Sequence, residues 1–279
     1  MQYKDNPSIF KLSRSDTARF RSIVIDIMGE AASLDSLDPC GIGTLGEKQM
    51  HAAIKRFICP DASYHEVKLD TVDRSEDGKK TKKRRFVADI LKDANVIEIQ
   101  TGRLAPLHDK IEWILDNTSY NVTVIHPIAE SKWVNVLDST NNIEKRYHSP
   151  VKGRIFDIAP ELYAIKDFIL SPRFSLVILL MEAEQYMKNT SKSTRSRPKY
   201  KKYELIPVNL LSATVLSSLD DYKLLIPDTL CGEFTVKQFS KESKIRGMDA
   251  YSAIHSLCDV NLLQKCGQVG RAATYRKTY

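Results

Sequence analysis

The sequence predicts an α/β (α+β) chain: a mixed central sheet with helices beside it, then a small C-terminal domain. Three observations predict it. Apolar residues recur with helical spacing in 14–33, 46–58 and 106–117. Short runs rich in β-branched residues stand at 64–69, 85–91, 96–101 and 121–126, so the middle of the chain reads helix, three strands, helix, strand. From Pro207 the pattern changes to short helices and a final hairpin, which divides the chain into 1–206 and 207–279.

The first helix, 14–33, begins near Ser13, Ser15 or Asp16 and offers Phe20, Ile23, Ile25, Ile27 and Met28 as apolar positions. The polar, charged loop DRSEDGKKTKK separates the strands at 64–69 and 85–91. The third strand follows through Lys92-Asp93-Ala94-Asn95, a short hairpin connection. In the helix 106–117, Leu107, Ile111, Ile114 and Leu115 share one face. After the buried strand 121–126 come a hairpin at 132–138 and 143–147, a helix at 159–170 and an apolar strand at 174–184. The strand around 200–206 pairs back on that last one.

Composition removes several classes. With 279 residues, 42% hydrophobic and 28% charged, the chain has the balance of a globular protein rather than a disordered one. No apolar run approaches the ~20 residues that a membrane-spanning helix needs, and MQYKDNPSIFKLSRSD lacks the apolar block of a secretory signal. Five dispersed cysteines (40, 59, 231, 258 and 266) without a CxxC pair suit reduced thiols, so a cytoplasmic location and no membrane partner are expected. The formal charge of +7 permits nucleic-acid binding. Lys79–Arg85 (KKTKKRR) has six basic residues in seven, and Met187–Tyr203 has seven with no acid. Both are solvated loops or phosphate-facing runs.

The densest chemistry lies in FVADILKDANVIEIQTG, residues 86–102, where carboxylates interrupt apolar strands. Burying an unpaired carboxylate costs several kcal/mol. With the turn centred on Asp93-Ala94, Asp89 and Glu98 become cross-strand neighbours, their Cβ atoms about 5 Å apart. Gln100 projects two residues further on. Two such acids either pair with Lys or Arg at the sheet margin or share a hard divalent cation, Mg²⁺ or Mn²⁺.

In its order of elements, with Asp on the second strand and Glu-x-Gln on the third, the segment 46–127 resembles the PD-(D/E)XK, or restriction-endonuclease-like, nuclease superfamily. The resemblance implies an αβββαβ core and a metal site. Asp89 would be the principal ligand, joined by Glu98, the backbone carbonyl of Ile99, and Glu47 from the helix before the strands. Gln100 occupies the place where the superfamily most often has lysine, which weakens the catalytic expectation without removing it. Glu47, Asp89, Glu98 and Gln100 are thus the candidate catalytic residues. His51, one turn after Glu47, is either a partly buried helix histidine or a cleft residue. Lys110 is either a solvated helix position or a stand-in for the absent lysine. Arg103 is the candidate phosphate contact.

Residues 231–279 contain GEFTVKQFSKES with Thr235 as N-cap, a turn at 245–248, the helix DAYSAIHSLCDV, and the strands LLQKC and ATYRKT joined by GQVGR. With a preceding helix expected at 208–224, this order resembles a winged helix-turn-helix domain. The resemblance implies that Lys244, Arg246, Tyr251 and His255 face a major groove. It sets Arg271, Arg276 and Lys277, with Tyr275, on or beside the wing against the backbone. A winged helix used for protein contact is the alternative.

The expected function is metal-dependent hydrolysis of phosphodiester bonds in DNA, with RNA as a second possible substrate. A homodimer would follow if both strands of a duplex are cut at once. The rival is a non-catalytic DNA-binding regulator or complex subunit that keeps the nuclease scaffold, which Gln100 favours.

Overall fold

A computed structural model describes residues 9–34, 46–69, 86–189 and 200–279, without the side chains of 9–11, 31–34, 46–48 and 189. The basic run 79–85 and residues 190–199 of the second run lie outside the described residues. A short strand β1 (Ile9–Lys11) leads into helix α1 (Arg14–Leu34). The Ser13 N–H donates to Asp16 Oδ2 and the Asp16 N–H to Ser13 Oγ, both at 3.1 Å, which satisfies donors that the first turn leaves open. Helix α2 (Gly46–Ile58) packs beside it, burying Met50, Ala53 and Ile54 against Phe20 and Ile27 of α1. Ile25, expected among the apolar positions of α1, is 70% exposed. A helix turns about 100° per residue, so a residue two before buried Ile27 points the other way.

Three antiparallel strands follow: β2 (His65–Leu69), β3 (Phe86–Lys92) and β4 (Asn95–Ile99). Lys92 pairs with Asn95, Leu91 with Val96 and Ile90 with Ile97, so the turn is Asp93-Ala94, with φ of +50° and +59°. Two left-handed residues give a two-residue loop the twist that hairpin strands require. Helix α3 (His108–Asn117) buries Ile111 and Ile114 and returns the chain to β5 (Asn121–Leu137), parallel to β4. β6 (Ile143–His148) pairs with the second half of β5. β7 (Phe174–Asn189) runs parallel to β5, and β8 (Tyr200–Leu216) runs antiparallel to β7. The mixed sheet has the order β1-β8-β7-β5-β4-β3-β2, with β6 beside β5. One face buries Ile99, Ile125, Leu179, Met181 and Leu210 under α1 and α2, and the other buries Val96, Val122, Val124, Leu176 and Ile178 under α3 and the chain that follows.

Three expectations change. The strand at 121–126 and the first arm of the hairpin at 132–138 are one strand, β5, running through Pro127. β4 stops pairing at Ile125, so the missing proline N–H falls where β5 has lost that neighbour. The helix expected at 159–170 is a 3₁₀ stretch, Ile155–Ile165, with Pro160 inside, where a proline removes an α-helical donor. The helix expected at 208–224 is strand to Leu216, held between β7 and β1. The boundary drawn at 206/207 therefore cuts β8, and the C-terminal unit begins after Leu216.

That unit has one turn of helix, α4 (Leu219–Tyr222), a short strand β9 (Phe234–Thr235), helices α5 (Val236–Ser243) and α6 (Met248–Asp259), and a hairpin, β10 (Leu263–Val269) and β11 (Ala272–Lys277). β9 joins the hairpin in a three-stranded sheet. Thr235 caps α5: its N–H donates to Gln238 Oε1 (2.8 Å) and its Oγ1 accepts from the Gln238 N–H (3.3 Å). Ala253, Ile254 and Leu257 of α6 belong to the same buried cluster as Leu162 and Ile165, so the two parts share a core. Lys166 and Asp259 (3.2 Å) bridge its edge.

Candidate functional site

The β3–β4 hairpin and α2 enclose a cleft of about 680 Å³ lined by His51, Lys55, Arg56, His65, Asp89, Glu98 and Gln100 among others. The hairpin register is what brings both acids here, since Asp89 and Glu98 come next after the Ile90–Ile97 pair. Asp89 Oδ2 accepts from the Ile99 N–H (2.7 Å) and meets His51 Nε2 at 2.9 Å. Burial pushes the Asp89 carboxyl upward, but these two bonds and the nearby charges of His51 and Lys110 hold it below its ordinary range. Asp89 is therefore an anchored carboxylate.

Glu98 is different. It is 3% exposed, and burial pushes its carboxyl up to about 7, opposed by Lys110 and reinforced by the negative charge of Asp89. Lys110 Nζ lies 2.5 Å from Glu98 Oε2 and donates also to the Val87 carbonyl (2.5 Å). The other oxygen, Oε1, is buried with no hydrogen-bond partner. Lys110 is thus a half-buried partner of Glu98 rather than a solvated helix position, and His51 is a cleft residue.

The remaining expected residues are distributed as follows. Glu47 lies on α2, but its side chain is outside the described residues. Gln100 follows the last residue of β4, and its Nε2 donates to the Arg103 carbonyl (2.5 Å), so the amide is tied to its own loop. The Gln100 carbonyl meets His126 Nδ1 (2.8 Å). Ile99 lines the cleft, with its N–H on Asp89. Arg103 is exposed and its side chain is not among those lining the cleft. Lys55, which the sequence did not single out, is buried at the cleft and pairs with Glu66, while Arg56 forms a two-pronged pair with Glu30 (2.6 and 2.9 Å).

Two carboxylates and a buried oxygen without a partner suit a hard cation with oxygen ligands. The ammonium on Glu98 Oε2 competes for the same charge. Among the described residues, no group of three His, Cys, Asp or Glu side chains is arranged to hold a metal ion.

A second region is cationic. Lys152 and Arg154, from the chain after β6, and Lys244 and Arg246, from the turn before α6, line one groove of about 610 Å³ together with Asp157 and Asp249. Lys244 takes a left-handed φ of +65° as the C-cap of α5 and is exposed, as is Arg246. Tyr251 and His255 stand on the exposed face of α6, and Arg271 sits exposed at the β10–β11 turn. Arg276 is exposed and donates to Gln264 Oε1 (3.3 Å). Lys277 is half-buried and donates to the Pro227 carbonyl (3.2 Å), and Tyr275 is buried. These two serve the core of the C-terminal unit. In the sequence, 149–152 follows a basic strand and reads as a candidate substrate rim, while the packing of α6 on the 3₁₀ stretch is what brings Lys152 and Arg154 into one groove with Lys244.

The region 48–217, from α2 to the end of β8, matches the family described as Domain of unknown function (DUF8091). The chain belongs to the DUF8091 family. The match ends where the large sheet ends, so the DUF8091 region holds the whole β3–β4 cleft and leaves the C-terminal unit outside. An uncharacterized protein of Treponema pallidum (strain Nichols) is 26% identical over 171 residues, 61% of each chain. This DUF8091 chain thus spans about three fifths of the length of that curated relative. No solved structure matches it. Among the described residues no helix is long and apolar enough to cross a membrane, and Cys59, Cys231, Cys258 and Cys266 are free thiols.

Proposed function

We propose that the cleft hydrolyses phosphodiester bonds and that the protein is a divalent-metal-dependent nuclease of the PD-(D/E)XK kind, acting on DNA. The observation that carries this reading is that Asp89 and Glu98, from paired strands, line one cleft, with a buried Glu98 oxygen left without a partner. Mg²⁺ or Mn²⁺ would be held by Asp89 and Glu98, with the Ile99 carbonyl and Glu47 as further donors, and would polarise the phosphate and acidify a bound water. The chain's own groups do the rest. His51 and the Ile99 N–H keep Asp89 ionised. Lys110 offsets negative charge around Glu98. Lys55 and Arg56 bring two cations to the cleft wall, where they are paired with the carboxylates of Glu66 and Glu30.

The C-terminal unit, with its α5–turn–α6 pair and β10–β11 hairpin, serves as a winged helix that holds DNA. Lys244 and Arg246, with Lys152 and Arg154, contact phosphates, and the exposed face of α6 with Tyr251 and His255 meets the duplex.

The test is incubation with plasmid, linear and single-stranded DNA plus Mg²⁺ or Mn²⁺, beside Asp89→Ala. Cutting that requires the metal and disappears in the variant is expected. The second reading is a DNA-binding scaffold without catalysis. It is favoured by the Lys110–Glu98 pair and by the commitment of the Gln100 amide to the Arg103 carbonyl. Binding without cutting under every metal condition would establish it.

A further inference from the structure

Beside the cleft, and sharing Thr101 with it, is a smaller pocket of about 360 Å³. Met50 of α2, Pro127 of β5 and Leu205 of β8 give it apolar walls, and Tyr203 adds an aromatic ring. Its polar lining includes Glu204. This residue is 4% exposed, and neither carboxylate oxygen has a hydrogen-bond partner. The neighbouring Gln185 amide cannot serve it, since its Nε2 donates to the backbone carbonyls of Glu204 (2.6 Å) and Tyr186 (3.1 Å). Native structures almost always pair a buried carboxylate. Two adjacent empty acceptors beside the apolar walls of Met50, Pro127 and Leu205 therefore describe the complement of a ligand.

The ligand that fits has a flat apolar body and two N–H donors side by side on one edge. Among nucleobases guanine has that edge, through N1–H and its exocyclic amine. Adenine and cytosine each set a donor beside an acceptor. A free cation such as a guanidinium is disfavoured, because Lys202 lines the same pocket. A base carrying phosphate is favoured by that same lysine. Extruded bases are held in this manner, with walls against their faces and hydrogen bonds on the edge.

We propose that this pocket is a guanine-binding subsite in which Glu204 accepts both edge donors of the base. The choice of a nucleobase rests on reading the adjacent cleft as a nucleic-acid site. The pocket thus supplies a base preference next to the position of cutting.

The experiment measures equilibrium binding of guanosine, inosine and adenosine 5′-monophosphates to the full chain. Proteins compared are the wild type, Glu204→Gln and Asp89→Ala. Guanosine monophosphate should bind about 10-fold or more tighter than the adenosine compound, with inosine between, since it lacks the exocyclic amine. Glu204→Gln should erase the preference while melting no lower than wild type, because it removes a buried charge. Asp89→Ala should keep the preference. Equal binding of guanosine and adenosine nucleotides, no saturable binding to folded wild type, or a preference that survives Glu204→Gln would each overturn the assignment. A single-stranded thymine oligonucleotide with one guanine, against one with adenine there, separates a base within a strand from a free nucleotide. Discrimination of mononucleotides alone would overturn the strand-bound role. Failure of DNA cutting with guanine preference intact would remove the nuclease reading alone, whereas cutting without that preference would remove the pocket.

Discussion

Replacing Glu98 by glutamine should stabilise the protein above neutral pH and change it little near pH 5. In the folded chain burial raises the Glu98 carboxyl from its ordinary 4.5 to about 7, against the pull of Lys110. The native state therefore binds a proton that the unfolded chain has already released. Stability must fall as pH rises between those two values and stay low above the upper one. At about 1.4 kcal/mol for each tenfold change in proton affinity, the ionised side chain costs up to about 3 kcal/mol above pH 7. Glutamine mimics the neutral acid and leaves Lys110 an amide oxygen, so Glu98→Gln should recover most of that amount. Urea denaturation of both proteins at about pH 5 and pH 8 measures the difference. Glu204 is raised to about 7 by its own burial, and His126 is lowered by burial and acts with the opposite sign in the same window. Both remain in wild type and variant, so the difference isolates Glu98. A variant less stable than wild type at pH 8, or equally changed at both values, would refute the reasoning and make Glu98–Lys110 a stabilising strut. If the cleft takes Mg²⁺, saturating metal should raise the melting temperature of the wild type and not of the variant.

Other outcomes follow from the same geometry. Lys110→Met leaves Glu98 without its cation, so it should cost about 3–5 kcal/mol near pH 8 and much less near pH 5, where Glu98 is protonated; thermal melts at the two pH values check this. The double variant Lys244→Ala/Arg246→Ala should weaken DNA binding and lower the slope of log affinity against log salt by about 2, measured by fluorescence anisotropy in a salt series. Gly153→Ala would set a Cβ 2.5 Å from the Ala129 carbonyl oxygen and 2.6 Å from Ile128 Cγ2, so a loss of about 1–3 kcal/mol in urea denaturation is expected.

The sequence by itself determined the local elements and the place of the two acids. Helical spacing placed α1 and α2 almost to the residue, and the Asp93-Ala94 turn put Asp89 and Glu98 on neighbouring strands, because in a tight hairpin the loop alone sets the register. Thr235 likewise announced α5, since a cap works through the residues beside it. Tertiary structure decided what the sequence could not. VNLLSATVL becomes strand because β7 and β1 flank it, and apolar runs of that length have no fixed period of their own. Lys110 reaches Glu98, Lys152 and Lys244 come to line one groove, and Glu204 is left without a partner only after distant segments pack together. Local preference acts between residues a few positions apart, whereas the charge partners of a buried group depend on which distant segments pack against it. The mixed sheet could thus be read from the chain, while the electrostatic state of its carboxylates could not.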